Sequence, residues 1–261
     1  MPVVDVNGAR LWYDEAGQGQ AVLLLHGGLG DSELWEPVVP YLAERFRTIR
    51  TDLRFFGRSA GPAAPWSWQQ DVVGVLDELE LARAALVGLS LGGKLALDVA
   101  LEAPDRLWAL ACIAPALGGH DAAPFTREQD EAYDAALAVG DLDAAMAIDF
   151  AVWAPLGVDE RMRRLWRATP DANPLPPGIE PRPPAGGAAA SRLAELAVPT
   201  LVVTATHDPP GFRRIGPLVA ERAQNARHLE LASDHYLTLR EPELVARTLL
   251  DFLAERAGAF R

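Results

Sequence analysis

The chain encodes a single α/β domain: a mainly parallel, eight-stranded sheet with helices on both faces and a helical insertion. Three observations carry that expectation. Short, continuous apolar runs such as "AVLLLHG" read as strands buried on both faces. Segments of helical periodicity separate them, and regular strand–helix alternation implies parallel pairing. The alternation stops after Pro115, and no convincing strand follows between residues 118 and 190. With 261 residues the chain can bury one large core.

The elements follow in order. "VVDVNGARLWYDEA" reads as a hairpin, with Asn7-Gly8 supplying the positive-φ turn. "AVLLLHG" is the next strand, "SELWEPVVPYLAERF" a helix and "RTIRTDLR" a strand. "WQQDVVGVLDELE" is helical, "AALVGLS" a strand, "LGGKLALDVALEAP" helical and "RLWALACIA" a strand. Three helical segments then run together: "TREQDEAYDAALAVGD", "LDAAMAIDFAVWA" and "DERMRRLWRAT". "NPLPPGIEPRPPAGG" cannot be regular helix and reads as a return linker, ordered or locally disordered. Alternation resumes with "VPTLVVTATHD", "GFRRIGPLVAERA", "ARHLELAS" and "EPELVARTLLDFLAERA". The boundaries expected are a core of residues 1–117 and 191–261, with an insertion at 118–190.

The net charge of −12 disfavours nucleic acid and anionic membranes as partners. Lys94 is the only lysine, and "ERMRRLWR" is too short a basic stretch to be more than a solvated helix face. Cys112, the single cysteine, lies in an apolar run and reads as a buried structural thiol. The opening residues lack the pattern of a secretory signal, and no run has the length of a membrane span, so a cytoplasmic protein is expected. No His/Cys/Asp/Glu cluster has metal-ligand spacing, and no metal or organic cofactor is expected.

The chemistry concentrates in "AALVGLSLGGKLAL". Gly88 and Gly92 flank Ser90 at −2 and +2, where a strand passes sharply into a helix. Such a turn leaves no room for a Cβ at the flanking positions and lifts the serine hydroxyl out of the sheet. The following helix aims its N-terminal N–H groups at the same point, favouring developing negative charge. A serine in this position can also be a simple helix N-cap; the strand–turn–helix context favours a nucleophile.

Serine needs a base to take its proton. Of the five histidines, His235 follows the last strand, in "ASDHYLTLREPEL", and reaches the sheet edge that carries Ser90. His26 more naturally supports its own loop, and His228 lies on a strand. The acid that orients the base is expected to be Asp208, at the end of "TLVVTATHD". Asp234 is too close in sequence to His235, and Asp121 is the fallback. The oxyanion of a tetrahedral intermediate needs two donors. The N–H of Leu91 is one, and Gly28 the other, with Leu29 as its alternative.

"LLLHGGLGDSELW", "TDLRFFGRSA", "LVGLSLGGKLAL", "VPTLVVTATHDP" and "SDHYLTLREPELV", in that order, resemble the α/β-hydrolase superfamily over nearly the whole chain. The insertion is similar to that family's helical cap. The resemblance is to the capped esterases and lactonases related to β-ketoadipate enol-lactonase. Three departures stand out: Asp234 before the histidine, Phe55 in "DLRFFGRS" and Ala205 near the acid occupy places where members often carry glycine. Serine at the nucleophile position differs from the related haloalkane dehalogenases and epoxide hydrolases, which use aspartate.

The resemblance implies a serine hydrolase acting on a small apolar ester or lactone through an acyl-enzyme, as a monomer or homodimer. C–C bond hydrolysis, thioester hydrolysis or cofactor-free peroxidase chemistry on the same site are the alternatives, as is a ligand receptor retaining the triad. An apolar roof is expected from the insertion's aromatics. Leu29, Phe150 and Trp153 are the leading expected substrate contacts; of Phe125, Tyr133, Met146 and Trp166 most read as cap core, and the remainder line the pocket from above. Trp66 and Trp68 read as covering the sheet edge or touching substrate, with packing at least an equal reading.

Overall fold

The computed structural model describes residues 2–62, 65–173, 175 and 181–257. The chain opens with a hairpin, β1 (Val3–Val6) and β2 (Ala9–Ala16), turned by Asn7 and Gly8 at φ of 50° and 75°. β3 (Ala21–Leu25), β4 (Arg47–Thr51), β5 (Ala84–Leu89) and β6 (Leu107–Ile113) follow, and β7 (Thr200–Ala205) and β8 (Ala226–Leu231) complete the sheet. Strand order is β1-β2-β4-β3-β5-β6-β7-β8. β1–β2 and β2–β4 are antiparallel, and all later neighbours are parallel. β3, β5, β6 and β7 are buried along their whole length, as their unbroken apolar sequences require.

The helices are α1 (Val39–Ala43), α2 (Trp68–Glu78), α3 (Leu91–Glu102), α4 (Arg127–Ala138), α5 (Leu142–Trp153) and α6 (Glu160–Arg167). After β7 come α7 (Pro210–Arg213), α8 (Ile215–Arg222), α9 (Leu237–Arg240) and α10 (Pro242–Ala257). α3 packs on β3, β5 and β6, α8 on β7 and β8, and α10 on α1 and β6. No helix among the described residues is long and apolar enough to cross a membrane.

The helix expected over "SELWEPVVPYLAERF" is broken. Its first part is a 3₁₀ turn at Ser32–Trp35, and only Val39–Ala43 is α-helical. Pro37 and Pro40 account for the break, since neither offers an N–H to a continuous helix. The 3₁₀ turn is still anchored: Trp35 Nε1 donates to the Leu25 carbonyl at 3.0 Å, at the end of β3.

α4, α5 and α6 stand between β6 and β7. α4 starts with a full capping box, the Thr126 side chain and Gln129 exchanging bonds with each other's backbone N–H. Asp141 and Asp159 cap α5 and α6 in the same way with single bonds. Part of the Pro-rich return, residues 174 and 176–180, lies outside the described residues. Beyond it, Arg182 N–H donates to the Trp66 carbonyl at 2.7 Å.

Candidate active site

β5 ends at Leu89, and Ser90 takes φ +53° and ψ −112° before α3 begins. That is a left-handed φ on a residue with a Cβ, a strain kept only where the surroundings impose it. The surroundings are the glycines. A Cβ on Gly88 would strike the backbone of Gly92, and one on Gly92 would strike the carbonyls of Leu25 and His26. The turn can therefore close tightly against the end of β3, and the Ser90 side chain stands clear of it. Ser90 N–H donates to the Ile113 carbonyl at 2.9 Å, pinning the turn to β6.

The loop after β3 lies alongside. A Cβ on Gly27 would come within 3.2 Å of Ser90 Cβ, so glycine is what lets this backbone approach. His26 holds the loop from beneath. Its Nδ1 donates to the Gly27 carbonyl at 2.8 Å, and its Nε2 accepts from Leu53 N–H at 2.9 Å. Burial pushes its pKa down, which keeps the neutral form that this acceptor role needs. The "DLRFFGRS" segment braces the same region. Asp52 Oδ1 accepts from Ser32 N–H at 3.1 Å, and Oδ2 from Arg58 Nε at 2.8 Å. Burial alone would raise the Asp52 pKa; the Arg58 hydrogen bonds and its charged surroundings hold it below the ordinary value. Phe55 adopts φ +70° without being glycine, and its ring meets Trp66 edge-on at 4.9 Å.

His235 and Asp208 meet across the ends of β7 and the loop after β8. His235 Nδ1 donates to Asp208 Oδ1 at 3.0 Å, and both side chains are buried. A carboxylate can only accept, so Nδ1 carries a proton and the bond fixes the orientation of the ring. Asp121 is elsewhere: it accepts from Ala123 N–H at 3.2 Å within its own exposed turn. Asp234 is turned away from the His235 ring. Its Oδ1 accepts from Arg240 Nε at 2.7 Å and its Oδ2 from Leu156 N–H at 3.2 Å, just past α5. The charge that this departure from glycine adds beside His235 is thus paired with Arg240, and it ties the histidine's loop to the inserted helices. His235 N–H donates to the Trp153 carbonyl at 3.2 Å, and Arg240 also bonds the Gly157 carbonyl, reinforcing the tie.

Ser90 and His235 line one cavity of about 250 Å³. Gly28, Leu29 and Leu91 form the rest of its floor, together with Ala116. Phe212, from α7, forms a side wall, meeting the His235 ring at 5.6 Å. The remaining wall comes from the insertion: Phe125, Tyr133, Asp149, Trp153 and Asp171. Trp153 lies over the histidine, ring centroids 4.4 Å apart.

Phe150 corrects an expectation. It does not line this cavity but packs on Tyr236, ring centroids 6.0 Å apart. On a helix Asp149 and Trp153 share a face at i and i+4, and Phe150 points about 100° away. The roof is accordingly less apolar than expected. Tyr133 was not singled out as a lining residue, and Asp149 and Asp171 were not anticipated. The available signal was the lone carboxylate inside the apolar helix "AMAIDFAVW".

Asp149 is 3% exposed and accepts at Oδ2 from Trp166 Nε1 at 2.5 Å and Tyr133 Oη at 3.2 Å. Burial raises its pKa to about 6 despite those donors. The Tyr133 hydroxyl is also 3.2 Å from Asp171 Oδ2, which lies at the solvent side. Lys94, by contrast, is engaged away from the cavity, donating to Asp98 Oδ2 at 2.8 Å.

This fold belongs to a recognised class. Residues 20–166 match the α/β-hydrolase fold family, and the chain is a member of that family. Among curated relatives, it is 31% identical over 206 residues to an epoxide hydrolase of Caballeronia sordidicola, covering 68% of this chain and 61% of that protein. It is 34% identical over 135 residues to a 2-hydroxy-6-oxo-6-phenylhexa-2,4-dienoate hydrolase of Comamonas testosteroni, covering 48% of this chain and 46% of that protein. The chain thus spans less than two thirds of the length of these relatives. Among solved structures, the carboxylesterase CesB of Bacillus subtilis superposes with a TM-score of 0.81 at 23% identity, covering 96% of this chain and 90% of that one. The enol-lactonase of Burkholderia xenovorans does so with a TM-score of 0.67 at 24% identity, covering 97% and 100%. At such identities the structural likeness speaks for the fold.

Proposed function

We propose that the protein is a serine hydrolase of small carboxylic esters or lactones, working through an acyl-enzyme with no metal or organic cofactor. The observation that carries the reading is the strained Ser90 turn opening into the same cavity as a histidine whose Nδ1 is committed to a buried aspartate. Ser90 Oγ attacks the carbonyl carbon, and its proton passes to His235 Nε2. Asp208 holds the imidazole tautomer and stabilises the imidazolium. The oxyanion accepts from the N–H groups of Gly28 and Leu91. His235 returns the proton to the leaving alkoxide, the acyl group stays on Ser90, and a water deprotonated by His235 releases it. Residues 118–190 act as a cap over this site, with Leu29 and Trp153 touching substrate.

The relatives include an epoxide hydrolase, whereas a serine at the turn favours ester chemistry for this chain. The dienoate hydrolase among them keeps C–C bond cleavage as the second reading. The test is a panel of aryl esters, lactones and thioesters with product detection, run on wild type and Ser90→Ala. Turnover of short esters or lactones should fall by roughly 10⁴ in the variant, with the fold intact by circular dichroism. Comparable turnover in verified Ser90→Ala protein would overturn the assignment.

A further inference from the structure

The charge on the lining of the cavity has one sign only. Asp149 and Asp171 both border the cavity, and among its described lining residues there is no lysine or arginine. Hydrogen bonding within the group is adequate, because Trp166 Nε1, the single Tyr133 hydroxyl proton and the Trp153 side chain supply donors. What is missing is positive charge. Two carboxylates flank one phenol, Asp149 buried and Asp171 towards solvent, and ionised together they repel each other.

A second, chemically different feature surrounds the same space. Phe125, Trp153 and Phe212 contribute aromatic rings to the cavity, with Trp153 edge-on to Phe212 at 4.8 Å and to Phe125 at 6.1 Å. Aromatic faces attract cations through the ring quadrupole, most strongly where water is excluded. A third feature acts at longer range: the chain's net charge of −12 draws cations and repels anions. The Ser90 nucleophile in that cavity marks it as a place where a ligand's reacting carbonyl must lie. At about 250 Å³ the space admits one compact molecule, so a group held by the wall and a carbonyl held at Ser90 belong to the same substrate.

We propose that the substrate is a compact ester or lactone bearing a cationic nitrogen, seated between the Asp149–Tyr133–Asp171 wall and the rings of Phe125, Trp153 and Phe212. The assignment rests on the ester-hydrolase reading of Ser90 and names the substrate class for it. Asp149 and Asp171 are then specificity-determining residues. Substrates carrying a carboxylate, such as a dienoate, are repelled by the same wall. The competing account is a proton shared between the two carboxylates, which leaves the wall neutral and without a preference for charge.

The probes are acetylcholine and 3,3-dimethylbutyl acetate, which have the same shape and differ by carbon in place of the charged nitrogen. Acetate release is followed at pH 7.5 and low ionic strength. The wild type should favour the cationic ester in kcat/KM by about tenfold or more. That ratio should fall towards one in Asp171→Asn and Asp149→Asn, and should shrink as salt is added. Asp171 is exposed, so its variant carries the test even where Asp149→Asn folds poorly. A wild-type ratio of one or below, or a ratio unchanged in the folded variants, overturns the proposal. If the neutral ester is cleaved in a Ser90-dependent manner without charge preference, only this inference fails. If cleavage persists in Ser90→Ala, the reading of the site fails with it.

Discussion

The floor and the roof of the cavity are built by different means. The floor is backbone: glycines at 27, 28, 88 and 92, a left-handed serine and strand ends fixed by the parallel ladder. The roof is side chains carried on α4, α5 and the segments before α4 and after α6, those on the helices aimed by helix rotation. On the proposed reading, changes to the glycine-built turn act on chemistry, and changes to the roof act on choice of substrate. Asp234 joins the two, bonding Arg240 on one side and the Leu156 amide on the other.

The sharpest way to break that division is at the acid. Asp208→Asn should reduce kcat by about 10³–10⁴, because the neutral amide favours the wrong histidine tautomer. Asp121→Asn should stay within about twofold of wild type, since Asp121 serves only its own turn. Steady-state kinetics on a short aryl ester reads both; a reversal of the two results moves the acid to the strand β6 side of the site.

A smaller effect is expected from the roof. Trp153→Ala removes the ring above His235 and opens the cavity. The acyl-length profile of the wild type should peak at short to medium chains, each methylene adding roughly 1 kcal/mol at most until the roof is met. In the variant the peak should move to longer chains. A wild-type profile that keeps rising through long fatty acyl esters would show an open groove instead of a roof.

These two regions differed just as much in how far they could be read from sequence. The eight strands and the Ser90 turn were legible because their causes are local: unbroken apolar runs for buried strands, glycines where a Cβ has no room. The pairing of His235 with Asp208 followed from both residues sitting at the carboxyl ends of strands. The roof was not legible in the same way. Which of Asp149, Phe150 and Trp153 faces Ser90 depends on how α5 is rotated against the core, and one residue's step turns a lining side chain into a packing one. The helix over residues 32–46 failed for a plainer reason, two prolines inside an apparently helical pattern.

The least effect, and the most specific to the roof, concerns pH. Asp149 titrates near 6 in the fold, above its ordinary 3.8, because it is buried. Between those values the folded chain holds more proton than the unfolded one, so this residue makes stability fall as pH rises from about 4 to 6. Above that window the full cost of the buried carboxylate is present. Relative to wild type, Asp149→Asn should gain roughly 2 kcal/mol in unfolding free energy between pH 4 and pH 7. Urea titrations at a series of pH values measure it, and a difference that is flat with pH would mean the carboxylate is well solvated or charge-compensated.

The central claim is that Ser90 is a nucleophile activated by His235, and covalent labelling tests it most directly. A fluorophosphonate should add one equivalent to the wild-type protein, and peptide mapping should place it on the segment containing Ser90. Labelling should be abolished in Ser90→Ala and slowed strongly in His235→Ala. No adduct on folded wild type, or an adduct that maps elsewhere and survives Ser90→Ala, would contradict the account.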